Sequence, residues 1–524
     1  MTGTGALIRL ILRRDRIRLP IWILSIVGIV YASAGSVSRA YSTPDQIQAY
    51  ASTMGSSPAV ISMSGPPVAL DTLGGILVYE TSLTALVAVA LMAIFLVVRH
   101  TRSEEEEGRT ELLRSAVVGL YAPAAAALLV VGSACVLVGL GVTASLLSVD
   151  VPVTGSMVYG AAVAGYGLVF ACIAVVFAQV MTHARGAVGG SVALVGVAFL
   201  LRAVGDIRDG TLSWFSPMGW SQQVRAFDDD RWWPLGISLV FGVAALMAAA
   251  VLAGRRDLGS GIIAARPGPA EASPMLAGPV GLAFRLQRAS IIGWVAGVFV
   301  GGAAYGSVSR EVQSMVESNP TLAEYFARAG GATLIDAFFS TAILMLSLIG
   351  AGFAVSSALR LRSEEASGRL EQLLATGLPR SRWMLGSLLV TLAGSTLVVM
   401  AGGVGVGLAH GLVSGDLGVV PEMLGYALVY LPAVLVVAAS AVLLMGWLRR
   451  LAAAAWAVLA VCFLVGVLGG LLEFPTWFEN LSPFTHTPAV PVEDIAVAPL
   501  AALTLSVVLA VALGVVGFRR RDIG

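Results

Sequence analysis

No lysine occurs among the 524 residues; all 32 basic residues are arginine. A phosphate-binding loop of the GxxxxGK[ST] kind needs its lysine to reach the β- and γ-phosphates. This chain carries no such loop, so if ATP drives it, another polypeptide binds the ATP. Charge is scarce: charged residues make up 12% of the chain against 57% apolar ones, and the net charge is +1. A balance so close to zero gives no pull toward nucleic acid. Cysteine is rarer still. Cys135, Cys172 and Cys462 all lie in apolar runs and read as small core hydrophobes, not as a disulfide framework or a metal site. His100, His183, His410 and His486 are scattered, without zinc-ligand spacing. No GxSxG, HExxH or paired-carboxylate pattern is present.

What is there is apolar length. The mean hydropathy of +0.88 lies far above that of soluble domains, and a span needs about 20 mostly apolar residues. Twelve stretches qualify: roughly 19–38, 77–98, 122–147, 157–181, 186–204, 233–253, 289–308, 336–358, 384–413, 423–446, 451–472 and 497–517. The expected class is an all-α integral membrane protein. The first stretch has basic residues, an apolar run and Ala32-Ser33-Ala34, as a cleaved signal would. The run is long for that role, however, and the segment recurs mid-chain, so it reads as a retained span.

Arginine placement sets orientation. Of the 32 arginines, 25 fall on one side of the twelve-span scheme; only Arg39, Arg202, Arg208, Arg225, Arg231, Arg310 and Arg328 fall on the other. The arginine-rich side is the cytoplasmic one, which puts both termini inside.

The chain repeats itself. Arg13, Trp22 and Gly35-Ser36-Val37-Ser38-Arg39 return as Arg285, Trp294 and Gly306-Ser307-Val308-Ser309-Arg310. RSEEEEGRTELL at 102–113 returns as RSEEASGRLEQLL at 362–374, and Ser216-Pro217 returns as Ser482-Pro483. Arg255-Arg256-Asp257-Leu258-Gly259 returns as Arg520-Arg521-Asp522-Ile523-Gly524. Two six-span halves, 1–256 and 282–524, are therefore expected around a linker at 257–281. An even number of spans per copy makes the halves parallel, with a symmetry axis along the membrane normal and a substrate cavity between them.

Residues 102–114 carry eight charges, and each would cost about 2.5–3.5 kcal/mol at the bilayer centre. The stretch is therefore a cytoplasmic loop, and its pattern is helical. Ser103 with Glu106 has capping-box spacing, and Glu104 to Glu107 would occupy a first helical turn, where the dipole favours anions. Glu105 with Arg109, and Glu365 with Arg369, would form i, i+4 pairs. A solvated loop need keep only its charge. These two copies keep order and spacing, which favours a pair of docking helices for a cytoplasmic partner. Their residues are Arg102, Ser103, Glu104, Glu105, Gly108, Arg109 and Glu111, and Arg362, Ser363, Glu364, Glu365, Gly368, Arg369 and Glu371.

The second string, with Pro379-Arg380-Ser381-Arg382 after it, resembles the loop after the second span of ABC-2-type exporter permeases. The fused double form is similar to actinobacterial permeases of the tetronasin-resistance and multidrug type. The first copy has Val118-Gly119-Leu120 where the second has Leu378-Pro379-Arg380. The resemblance implies an exporter driven by two copies of a separate ATPase subunit, which would hold ATP and Mg, with no cofactor on this chain. It also implies that the loop helices pass the ATPase motion to the spans, and that a surface helix caps the exit.

Residues 5–18, with Arg9, Arg13 and Arg14, read as an interfacial elbow helix, and residues 281–288, with Arg285 and Arg288, as its shorter counterpart. The external segments 205–233 and 473–496 hold Trp214 and Trp220, and Trp477 and Phe478. They read as interfacial aromatics or as short capping helices. Asp228-Asp229-Asp230 reads as a solvated loop sooner than as a cation site. Glu80, Asp336 and His410 lie near predicted span ends, and charges deep within spans are nearly absent. That shortage favours a hydrophobic or amphipathic substrate over ion coupling. The competing classes are an ion-coupled twelve-span transporter, which would show GxxxD-R/K-x-G-R/K after its second span, and a scaffold relaying ATPase state, which would need a large external domain.

Overall fold

The computed structural model describes residues 2–55, 58–115, 117–257, 259–263, 271, 273–309, 334–472 and 475–521. Arg310 and Arg328 of the orientation count, Leu258 and Asp522 to Gly524 of the repeat, and the stretch 264–270 of the linker lie outside these. The described residues are helical, with no strand among them. Twelve helices are long and apolar enough to cross a membrane. In hydrocarbon every backbone polar group must be bonded within its own segment, and helices meet that condition. The chain divides into two compact units, Met1–Gly268 and Pro269–Gly524.

The first unit opens with a short helix, Thr4–Arg14, followed by spans 1 to 6. These are Arg18–Ala40, Leu73–His100, Ala122–Leu147, Val153–Val180, Ala184–Ile207 and Trp233–Gly254. Spans 2 and 4 are buried over 67% of their most apolar stretch and spans 1 and 6 over 17%, so the former make the core and the latter its apolar rim. Between spans 1 and 2 the chain forms two short helices, Pro44–Met54 and Pro58–Ser64. Thr43 and Gln46 close a reciprocal capping box on the first. The fully buried Arg202 of span 5 ties the second down, donating to the Ile61 carbonyl at 3.3 Å and the Met63 carbonyl at 2.8 Å.

In the second unit span 7 lies within Pro279–Ser307, span 8 is Leu334–Ala366 and span 9 is Arg380–Ser414. Span 10 is two helices, Val419–Val429 and Leu431–Trp447. It breaks at Tyr430, because Pro432 has no N–H to continue the ladder. Span 11 is Ala455–Leu472 and span 12 is Val497–Arg520. Spans 7 and 9 approach closely: a Cβ on Gly302 would lie 2.4 Å from the Gly402 carbonyl oxygen, and one on Gly405 would lie 2.4 Å from that of Phe299. Small residues at such crossings let two backbones meet, the usual means of helix association in lipid. The repeat is visible in packing as well. Trp22 of span 1 lies 6.3 Å from Phe95 of span 2, and Trp294 of span 7 lies 6.3 Å from Phe353 of span 8.

A separate helix precedes the first span of one unit only. In the first, that helix ends at Arg14 and the chain turns through Asp15 to Ile17 before span 1. In the second, residues 281–288 are the start of one continuous helix, Pro279–Ser307. The break coincides with Asp15, fully buried against His100 and 3.4 Å from Arg99. The residue at the corresponding place, Gln287, stays helical and accepts from Ser357 at 2.6 Å.

Candidate functional site

Neither charged string begins a helix at a capped serine. In the first copy span 2 ends at His100 and a turn at Thr101 leads into the short helix Arg102–Glu106; in the second, span 8 continues unbroken through Glu364, Glu365 and Ala366. Ser103 sits inside the helix and makes no cap, and Glu106 accepts instead from the Ala184 N–H at 2.9 Å. The expected capping box is absent for this reason. In the second copy the dipole argument also reverses: Glu364 and Glu365 lie at a helix C-terminus, where negative charge is disfavoured, so arginines must offset it. Gly108 and Gly368 then turn the chain at φ +72 in both copies, the left-handed conformation that glycine takes without penalty. A short helix follows each turn, Arg109–Arg114 in the first copy and Arg369–Leu374 in the second.

That turn changes which charges meet. The expected i, i+4 pairs do not form. Arg109 donates to Glu104 through Nε at 2.7 Å and Nη2 at 3.2 Å, and Arg369 to Glu364 at 2.7 and 3.4 Å. The left-handed glycine breaks the helical register and brings the residue five positions away into reach. A Cβ at either glycine meets open space, so its cost is conformational, about 1–2 kcal/mol. We expect Gly108→Ala and Gly368→Ala each to destabilise the purified protein by that amount in thermal unfolding, with Asn at either position milder.

The second glutamate of each string turns inward. Glu105, with its side chain only 8% exposed, accepts from Arg256 Nη1 at 2.6 Å and Nη2 at 2.7 Å and from the Gly259 N–H at 2.8 Å. Glu365, 3% exposed, accepts from Arg521 Nη2 at 2.6 Å through both oxygens, with Arg449 at 3.4 Å. Arg256 and Arg521 occupy the same place in the repeated Arg-Arg-Asp string. The two conserved-in-order strings of each half are thus each other's partners: the loop is clamped to the end of the last helix of its own unit. Glu105 and Glu365 are therefore buried in ion pairs within their own units. The exposed charged residues of the first loop are Glu106, Glu107, Arg109 and Glu111; those of the second are Arg369 and Glu371, with Ser363 exposed beside them.

The two clamps are framed differently. Arg102 is 1% exposed and donates to the carbonyls of Thr182, Gly259 and Ser260, with Glu105 at 3.0 Å. Its counterpart Arg362 makes no such contacts among the described residues and lines an open cavity. Glu104 takes a second arginine from the first helix, Arg14 at 2.7 Å, whereas Glu364 takes Arg360 of its own helix at 3.5 Å. Arg9, Arg13, Arg285 and Arg288 are exposed on their helices. Arg380 of the Pro-Arg ending donates to the Arg521 carbonyl at 2.6 Å, so that ending braces the second clamp.

At the opposite ends of the units, Ser216 and Ser482 explain the repeated Ser-Pro. Both are fully buried and both cap a short helix, Pro217–Gln222 and Pro483–His486. Trp214 stacks on Trp233 at 5.4 Å, and the buried Trp220 donates from its indole to the Trp214 carbonyl. Trp477 is 67% exposed, with Phe478 edge-on at 5.7 Å. The acidic run is ion-paired: Asp228 meets Arg225 at 2.6 Å, and Asp229 meets Arg225 and Arg231. Among the described residues no group of three or more His, Cys, Asp or Glu converges as a metal site. Sequence reasoning missed the helices at 44–64 and the Arg202 tie; the Thr43-Pro44-Asp45-Gln46 string was the signal for the first.

Two six-span units, each with a charged loop clamped to its own last helix, define a duplicated multi-pass membrane protein. The chain is 40% identical over 526 residues to the multidrug efflux system permease protein Rv1217c of Mycobacterium tuberculosis, covering 100% of this chain and 95% of that one. Residues 276–519 match the family described as multidrug efflux system permease Rv1217c, C-terminal domain. The chain belongs to this family of efflux permeases.

Proposed function

We propose that this chain is the membrane subunit of an ATP-driven ABC exporter that moves hydrophobic or amphipathic compounds, antibiotics and drugs among them, out of the cell by alternating access. Both termini and both charged loops face the cytoplasm. Two copies of a separate ATPase subunit bind ATP and Mg, one engaging each loop; this chain contributes no catalytic group and no cofactor ligand. The observation that carries the reading is the clamp built twice, Glu105 to Arg256 and Glu365 to Arg521. A loop tied by a buried ion pair to the last helix of its unit transmits a push, whereas a loop tethered only by chain does not. An ion-coupled transporter is the competing reading, and the loop between spans 2 and 3 lacks its GxxxD-R/K-x-G-R/K pattern.

Reconstitution tests this. The chain alone in liposomes hydrolyses no ATP, and adding the ATPase gives drug-stimulated hydrolysis and efflux. Efflux that persists with a dead ATPase, yet collapses with the proton gradient, would overturn it.

A further inference from the structure

We infer that the turn between spans 10 and 11 of the second unit is a binding site for the headgroup of an anionic phospholipid. Arg362, Arg449, Arg450 and Arg521 line one open cavity there, of about 780 Å³, together with Trp447, Leu448 and Leu451. Among the described residues the carboxylate that faces these arginines is Glu365, taken by Arg521 at 2.6 Å and Arg449 at 3.4 Å. Among the described residues Arg362 and Arg450 have no acidic partner, and positive charge outnumbers negative around the cavity. Its rim is apolar: Trp447, Leu448 and Leu451 are 53%, 53% and 55% exposed. Trp447 is fixed in place, its indole donating to the Leu513 carbonyl of span 12 at 3.0 Å. Arginines beside exposed leucines and an anchored tryptophan, at the ends of three membrane helices, match a phosphodiester joined to acyl chains. An acidic peptide would leave the apolar rim uncovered.

The first unit shows what fills this place when a lipid does not. There the chain itself covers the turn between spans 4 and 5. Ile263 donates from its N–H to the Val180 carbonyl at 3.0 Å, and Thr182 donates to the Ile263 carbonyl at 2.9 Å. Arg102 is saturated by the carbonyls of Thr182, Gly259 and Ser260. Arg362, at the same place in the repeat, has no such carbonyl partner among the described residues. The lipid would sit against the second charged loop alone.

The test needs only the full chain, purified in detergent, and so is independent of the ATPase. Retained lipid is counted by native mass spectrometry after titration with phosphatidylglycerol or phosphatidylcholine. Wild type holds phosphatidylglycerol in preference, and Arg449→Gln with Arg450→Gln weakens that binding by about 30-fold. Arg288→Gln, exposed and outside the cavity, leaves it unchanged. Thermal unfolding without added lipid checks that the double variant is folded. Equal retention of the two lipids by wild type would overturn the proposal, as would undiminished phosphatidylglycerol binding by a folded double variant. Displacement of the lipid by inorganic phosphate alone would assign the site to a free anion and overturn it. Loss of ATPase co-purification with phosphatidylglycerol selectivity intact would assign the arginines to a protein partner and overturn it equally.

Discussion

Glu105→Arg abolishes efflux, and adding Arg256→Glu to it restores a measurable part. The single change sets Arg102, Arg256 and a third arginine together around the Gly259 N–H, all within a site whose side chains are 1% to 12% exposed. Removing one partner of a buried ion pair costs about 3–5 kcal/mol, because the other charge is left unpaired. The reversed pair recovers the charge balance but not the Gly259 hydrogen bond, so recovery is partial. Glu365→Arg with Arg521→Glu behaves alike in the second unit. The readouts are thermal unfolding of the purified chain and drug-stimulated ATP hydrolysis after reconstitution with the ATPase. The single variants inserted in the membrane should show hydrolysis no longer stimulated by drug. A double reversal no better than Glu105→Arg alone would show that Glu105 serves the partner and not the clamp.

Gly302→Leu removes most of the folded protein from the membrane. The new side chain would start 2.4 Å from the Gly402 carbonyl oxygen and 3.0 Å from the Val406 nitrogen, and both are backbone atoms of span 9 that cannot rotate aside. Overpacking a well-filled core costs about 1–3 kcal/mol when side chains can yield; here a whole helix must move, and the loss is at the upper end or beyond it. Gly293→Leu, on the same helix with nothing within 4 Å of its Cβ, is the control and is neutral. Monodisperse protein recovered in detergent measures both. Equal recovery of the two variants would refute the close crossing.

Hydropathy and arginine placement made the twelve spans legible, because lipid leaves a chain few choices. The repeat made the clamp half legible. Both of its strings stood out as copies, yet nothing in a linear reading joins residues 151 positions apart in one half and 156 in the other. What misled the reading of the loop was local propensity. Ser103 and Glu106 have the spacing of a cap, but the apolar run before them had already started the helix. A helix already under way adds a residue at little cost, so in the second copy span 8 passes Ser363 and ends at Ala366, just before the left-handed glycine, and in the first copy the helical turn at 102–106 starts one residue ahead of Ser103. The pairing of Arg109 followed from that glycine and not from helical arithmetic. The break of span 10 was legible in Pro432; the break at Asp15 was not, since it depends on His100 and Arg99 in another helix.

That last break sets the two halves apart mechanically. The first unit has a joint at Asp15 to Ile17 between its first helix and span 1; the second has a rod, Pro279–Ser307, about 43 Å long at 1.5 Å per residue. Under the coupling proposed above, a displacement applied at Arg14 through Glu104 would be spent partly in bending the joint, and one applied near Arg285 would act on a continuous helix. Identical motors, one on each loop, would then meet levers of unequal stiffness.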